Sequence, residues 1–189
     1  MEEKISKLFR IITIAPFMCL LATLSIYFIK PQYFSGKSSL ISAICFLTIF
    51  PILSYPVCFV VRPLRIRGRK MQRTMAIIFA FLGYALAFGL SFAFKDSLQI
   101  KIYYFTYLLS AFIILIFRIF NKFNPSGHAS GIAGPITFLV IYVNYYFAFL
   151  YVLVFLIWYI SIKMERHTNS EYLAGSLIPV TILILSLIL

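Results

Sequence analysis

The chain has 189 residues, of which 62% are hydrophobic and 12% are charged, and its mean hydropathy is +0.99. Such a composition excludes a soluble domain with a polar exterior and indicates one integral membrane domain over residues 1–189. The net charge of +12 could suit nucleic acid, but the cations lie in loops between apolar runs. Anionic lipid headgroups are therefore the expected partner, and nucleic acid is not.

The apolar runs, taken in chain order, predict an all-α bundle of transmembrane helices. Runs near the roughly 20 residues that a membrane-crossing helix needs lie at 11–29, 40–61, 75–94 and 102–120. The next stretch, 132–162, would be about 46 Å long as one helix, too long for a hydrocarbon core of about 30 Å. It is predicted to turn near Asn144, which gives helices at 126–143 and 146–162. The run 172–189 supplies a seventh helix, and counts of six or eight also fit.

The cations predict an orientation. Seven helices place the N-terminus and the loops 62–74, 121–128 and 163–171 on one face, and these segments together with Arg118, at the end of the fourth run, hold 13 of the 17 Lys and Arg residues. The positive-inside rule makes that face cytoplasmic, although arginines that bind phosphate would lie on the site's face in either orientation. Segment 62–73 holds six cations and no acid. It is either a topology determinant that touches anionic lipid or part of a phosphate site.

A short polar segment, Asn124-Pro125-Ser126-Gly127-His128, precedes the fifth predicted helix. Asn124 is expected to cap this helix and Pro125 to occupy its first position. The amides of Ser126 and Gly127 would then point at a tetrahedral anion, with His128 one turn inside the helix. The alternative is that the glycines serve packing and that His128 is a satisfied buried histidine.

The second histidine, His167, lies four residues before Glu171. On one helix face the carboxylate would fix the imidazole tautomer and make the other ring nitrogen a better nucleophile. The alternative is a capping or interfacial pair. Histidine accepts and donates protons near neutral pH, so two histidines beside apolar spans indicate chemistry at a membrane face. The three cysteines lack the spacing of a metal site, and no metal or other cofactor is predicted.

Together these motifs resemble the type 2 phosphatidic acid phosphatase superfamily of membrane lipid phosphatases, over about residues 60–180. The family's Pro-Ser-Gly-His motif is intact at 125–128, and its His motif matches His167, with Glu171 where Asp is usual. Leu173-Ala174-Gly175 after it is also typical. The Arg166-His167-Thr168 combination and the two spans between the first two motifs resemble a branch of small bacterial and archaeal members. That resemblance implies a bacterial or archaeal cell membrane.

The resemblance implies a metal-independent enzyme that removes phosphate from a lipid phosphate or diphosphate, of phosphatidic acid or isoprenyl type. His167 would form a phosphohistidine, Glu171 would steady its imidazolium, and His128 would protonate the leaving oxygen. The active site would lie at one membrane face. The residues implied to hold the phosphate are Ser126, Gly127, Lys70, Arg73, Arg62 and Arg166.

The chain departs from the family pattern at two places. Ser161 stands where the third motif has Arg, six residues before His167. In the first motif, Arg62-Pro63 is present, but the position seven residues earlier is Tyr55. A second match uses Lys70 and Arg73 with Arg62 as the leading cation, and it is preferred because it keeps several cations on the loop. These departures leave a lipid-phosphate binding protein or a weakened family member as the alternative function.

Overall fold

The structure is a computed structural model that describes residues 13–66, 68–120 and 123–188, with the backbone alone at positions 69 and 70. Its regular elements in these ranges are helices, with no strand among them. We number eight: α1 Ala15–Ile29, α2 Lys37–Val60, α3 Arg62–Ile66, α4 Gly68–Ala93, α5 Leu98–Phe120, α6 Gly127–Val143, α7 Tyr145–Lys163 and α8 Asn169–Leu185.

Four helices, namely α2, α4 from Met71, α5 and α7, are long and apolar enough to cross a membrane. Helices α1, α6 and α8 are apolar but shorter. Large apolar side chains point outward, among them Phe28 at 77% exposure and Phe59 at 69%. Exposed apolar surface on this scale suits contact with lipid. The predicted all-α class is confirmed for the described residues, with four candidate membrane spans where seven spans were predicted.

The turn predicted in the stretch 132–162 is present at Asn144. Helix α6 ends at Val143, and Asn144 has extended backbone angles, φ −164° and ψ 132°. Its side-chain oxygen accepts a hydrogen bond from the amide of Tyr146 at 3.0 Å. The amide side chain therefore caps the start of α7 and ends the helix before it, which divides the long apolar run in two.

Several predicted boundaries were wrong. Helix α4 begins at Gly68, which has φ +65°, and not at 75, so Arg73 lies on a helix and not in a loop. Helix α2 is interrupted by a π-helical turn at Cys45–Ile49 and contains Pro51, whose missing amide hydrogen removes a helical hydrogen bond. Helix α8 begins at Asn169 and ends at Leu185, where 172–189 was predicted.

The packing brings several helix ends together at one end of the bundle. Helix α4 packs along α5, α6 packs against both α1 and α8, and α2 packs on α4. Gly131 lets α1 approach α6, because a Cβ at that position would overlap the Cβ of Ala15. As a result the starts of α1, α4 and α6 and the segment before α8 meet the last turn of α5, and they surround a cavity.

Candidate active site

Helix α6 begins with a cap that differs from the prediction. Ser126 is the N-cap, and its hydroxyl accepts a hydrogen bond from the amide of Ala129 at 3.3 Å. The amide of Ser126 is not available to an anion, because it donates to the carbonyl oxygen of Glu171 at 2.9 Å. Asn124 and Pro125 precede the helix, so the prediction that Asn124 caps it was wrong. Gly127 is the first helical residue and lines the cavity.

Helix α8 begins with a capping box. The Thr168 hydroxyl accepts from the amide of Glu171 at 3.2 Å, and the Glu171 carboxylate accepts from the amide of Thr168 at 3.0 Å. His167 therefore precedes the N-cap and is not on the helix. Its Nδ1 is still 3.4 Å from Oε2 of Glu171, so the predicted pairing of the two side chains is present.

Glu171 connects both histidine-bearing segments. Its Oε1 accepts from the amide of Asn124 at 3.2 Å, and its Oε2 accepts from Thr168 and faces His167. Partial burial disfavours the carboxylate, but the two amides and His167 outweigh that effect and hold the pKa of Glu171 below its ordinary value. At neutral pH the side chain is an anion that ties the start of α6 to the start of α8.

A close backbone contact supports the same junction. Gly175, one turn beyond Glu171, lies so near Ser126 that a Cβ at this position would overlap the Ser126 carbonyl oxygen. Glycine at 175 thus lets the start of α6 rest directly on α8. The backbone of Ser126 is held from both sides, by the carbonyl of Glu171 and by this contact.

One cavity of about 590 Å³ collects most of the residues that sequence analysis selected. Both histidines line it, as do Arg73 of α4 and Arg166, which precedes His167. His128 shares a hydrogen bond with Thr13, whose hydroxyl is 3.2 Å from its Nε2. Among the residues that the structure describes, neither Asp nor Glu lines the cavity. Arginines in a lining with no described acid make this end of the cavity suited to an anion.

Two predicted phosphate-binding residues lie outside this lining, and a third falls where the structure describes no side chain. Ser126 is fully buried, and its hydroxyl is used as the helix cap. Arg62 is exposed on the short helix α3, outside the cavity. Lys70 lies at a position where the structure describes no side chain. Each of the two matches to the first motif has one residue in the lining. Arg73 belongs to the preferred match with Lys70, and Tyr55 belongs to the match with Arg62-Pro63.

Arg118 was not predicted as a site residue and was counted only among the cations that set the orientation. Arg118 is in the last turn of α5, lines the cavity, and donates from its Nε to the Thr74 hydroxyl at 3.0 Å. Arg73 is close enough to repel it electrostatically. The available signal was position, because Arg118 ends an apolar run on the face where the Pro-Ser-Gly-His segment begins.

Ser161, which stands where the resemblance leads one to expect Arg, is buried away from the cavity lining. Ser161 is 1% exposed, does not line the cavity as described, and its hydroxyl has no hydrogen-bond partner within the described part of the chain. Arg118 and Arg166 reach the cavity from α5 and from the segment before α8.

Comparisons with protein-family models, with curated proteins and with solved structures give no match to this chain. Within the described residues, no group of three or more His, Cys, Asp or Glu side chains is placed to hold a metal ion.

Proposed function

We propose that the protein is a membrane-embedded lipid phosphatase. The observation that carries the proposal is the single cavity in which two histidines and three arginines meet, with apolar walls beyond them. Phosphoryl transfer needs a nucleophile, a proton donor and positive charge around the non-bridging oxygens. A lipid substrate also needs an apolar surface next to these groups, and the same cavity offers both.

His167 is the nucleophile in this proposal. Its Nδ1 faces Glu171, which leaves Nε2 to attack phosphorus while the bond from phosphorus to the lipid oxygen breaks. His128, starting as imidazolium, gives its proton to the leaving oxygen. It then takes a proton from the water that attacks the phosphohistidine, and phosphate leaves with His167 restored. The anionic Glu171 stabilises the positive charge that develops on His167 during attack.

The positive charge comes from Arg73, Arg118 and Arg166. Helix α6 begins at Gly127 in the cavity lining, so the positive end of its dipole adds to that charge. Arginine's planar group suits phosphate because two N–H groups can bind two oxygens at once. Ser126 has a supporting role in place of the phosphate contact that sequence analysis gave it. Arg62 and Lys70 stay as expected contributors to the basic segment 62–73 near anionic lipid.

The proposal includes a multi-pass topology. Helices α1, α2 and α4–α8 cross the membrane, so the starts of α4, α6 and α8 share one face, and the charge distribution makes that face cytoplasmic. Single reporter cysteines at Gly68, Asn169 and Asn144, in a chain without native cysteines, test this arrangement. The first two are expected to react from the cytoplasmic side and the third from the other side. Labelling of positions 68 and 169 from opposite sides would contradict a shared site.

Phosphate release tests the activity itself. The purified protein is incubated with phosphatidic acid and with an isoprenyl monophosphate and diphosphate, beside the His167→Ala variant. We expect release from at least one substrate by the wild type and a loss of at least about 10³-fold in the variant. Equal release by both proteins would refute the assignment.

A lipid-phosphate binding protein is the second candidate, and one observation favours it. The buried Ser161 leaves the site without a cation that the resemblance leads one to expect. A wild-type protein that binds these lipids with Arg118-dependent affinity, yet releases no phosphate, would support binding over catalysis.

A further inference from the structure

Helices α4 and α5 carry the same pattern of side chains on the faces that they turn toward the cavity. On α4, Arg73 and Tyr84 are eleven residues apart, and on the antiparallel α5, Tyr107 and Arg118 are also eleven apart. All four side chains line the cavity. Because eleven residues make close to three helical turns, each pair shares one face of its helix. The cavity therefore has an arginine pair at one end and a tyrosine pair at the other.

The cavity wall between the two pairs is largely apolar. Ala76, Ala80 and Ala111 line it, with Ile77 and Ile114 beside them. Small side chains on the facing surfaces of two closely packed helices leave a slot between them. The serines Ser110 and Ser130 add hydroxyl groups to the lining, and the remaining walls come from α1, α2 and α6.

The tyrosine pair closes the slot. The rings of Tyr84 and Tyr107 have centroids 5.1 Å apart, and their exposed fractions are 5% and 7%. Cys19 and Tyr103, both buried, belong to the same packed cluster as this pair, and the Tyr103 ring lies edge-on to Tyr107 with centroids 5.0 Å apart. The tyrosine pair is thus backed by packed side chains and forms the floor of the slot.

The depth of the slot matches a lipid chain. Eleven residues at about 1.5 Å each give about 16 Å from the arginines to the floor. That is about half of a hydrocarbon core of about 30 Å, so the slot is as deep as one leaflet. Alanines on both facing helices, Ala76 and Ala80 on α4 and Ala111 on α5, leave room for a chain beside them.

We infer that this slot holds one hydrocarbon chain of the substrate and that Tyr84 and Tyr107 limit its length. The inference rests on the proposed function, because the arginine pair is assigned to the phosphate. With the phosphate held there, the far end of the chain points toward the tyrosines. The substrate class is accordingly a lipid phosphate with a single chain in the slot, and any second chain remains in the bilayer. Tyr84 and Tyr107 are specificity-determining residues and take no part in the chemistry.

Alkyl phosphates of increasing length test the inference. Octyl, dodecyl and hexadecyl phosphate compete with a labelled lipid phosphate for the protein at fixed micelle concentration, and phosphate release is measured in parallel. In the wild type, affinity is expected to rise from octyl to dodecyl and to stop rising at hexadecyl, whose extended chain exceeds the slot. Tyr84→Ala should raise the hexadecyl-to-dodecyl affinity ratio by roughly tenfold, the effect of about two more buried methylene groups.

Two further variants control for folding. Tyr84→Phe keeps the ring and should keep the wild-type ratio. Ala80→Phe fills the slot and should weaken dodecyl phosphate by roughly tenfold while octyl phosphate binds as before. The same length profile in wild type, Tyr84→Ala and Ala80→Phe would overturn the inference. If Tyr84→Ala does not fold, the Ala80→Phe profile decides alone.

The two readouts separate the slot from the proposed activity. A length limit in binding without phosphate release would support the slot and refute the phosphatase. Phosphate release without any length limit would support the phosphatase and refute the slot. Failure of both measurements would overturn both.

Discussion

Removal of the Glu171 carboxylate should loosen both histidine-bearing segments at once. Its two oxygens accept from the amides of Asn124 and Thr168, and Oε2 also faces His167. Hydrogen bonds to a charged group contribute about 1.5–3 kcal/mol each, and the side chain is 18% exposed, which favours the lower end. We expect Glu171→Ala to lower the free energy of unfolding by about 2–4 kcal/mol.

Glu171→Gln keeps one acceptor oxygen and loses the charge, so its expected destabilisation is smaller, about 1–2 kcal/mol. Phosphate release should fall roughly 10²-fold, because the imidazolium of His167 loses its counter-ion. Unfolding is followed by titration with a denaturing detergent in mixed micelles, and release by a phosphate assay. Glu165→Gln is the matched control, since Glu165 is exposed one residue before Arg166 and undergoes the same acid-to-amide change.

The pH dependence of this difference follows from the lowered pKa of Glu171. A carboxyl group whose pKa is lower in the folded state stabilises the fold above its unfolded pKa of about 4.3 and loses that contribution as pH falls through the folded value. The stability gap between wild type and Glu171→Gln should be constant near neutral pH and shrink in acid. Equal stability of Glu171→Gln and Glu165→Gln at pH 7 would refute the role given to this carboxylate.

Three further results are expected. Phosphate release should persist in a chelator, and loss that magnesium restores would count against the proposed site. In His128→Ala, phosphate transfer to His167, measured as the initial burst of leaving-group release, should slow far more for alkyl phosphates than for activated aryl phosphates, whose leaving groups need no proton, whereas His167→Ala should abolish it for both. Identical losses on both substrate classes would contradict the separate roles. Gly175→Ala should destabilise the protein by about 1–3 kcal/mol because its Cβ overlaps Ser126, and Gly89→Ala, with open space around it, is the control. A stable Gly175→Ala variant would show that α8 can move away.

The sequence was sufficient for features that depend on local chemistry. Apolar length predicted α5 to within a few residues, and the excess length of 132–162 predicted the turn at Asn144. The spacing of His167 and Glu171 predicted their pairing, although the capping box places His167 before the helix and not on it. Four-residue spacing allows either arrangement, and only the Thr168 cap distinguishes them.

Features that depend on contacts between distant segments were not predictable. Asn124 and Ser126 are both good capping residues, so the sequence alone does not say which one caps α6. In the fold Ser126 is the cap, and its amide donates to the carbonyl oxygen of Glu171, which is distant in sequence. The role of Arg118 depends on the packing of α5 beside Arg73, which no local pattern records. The slot between α4 and α5 depends on how the two helices are aligned. The equal Arg–Tyr spacings on them therefore predict a slot only once that packing is known.

A trapped phosphoenzyme would test the central claim most directly. The protein is mixed with a radiolabelled lipid phosphate, quenched in base, where phosphohistidine survives, and mapped by mass spectrometry. The proposal predicts phosphate on His167, with none in His167→Ala and an accumulated intermediate in His128→Ala supplied with an activated aryl phosphate. Phosphate release by the wild type with no label on His167 in any of these proteins would contradict it.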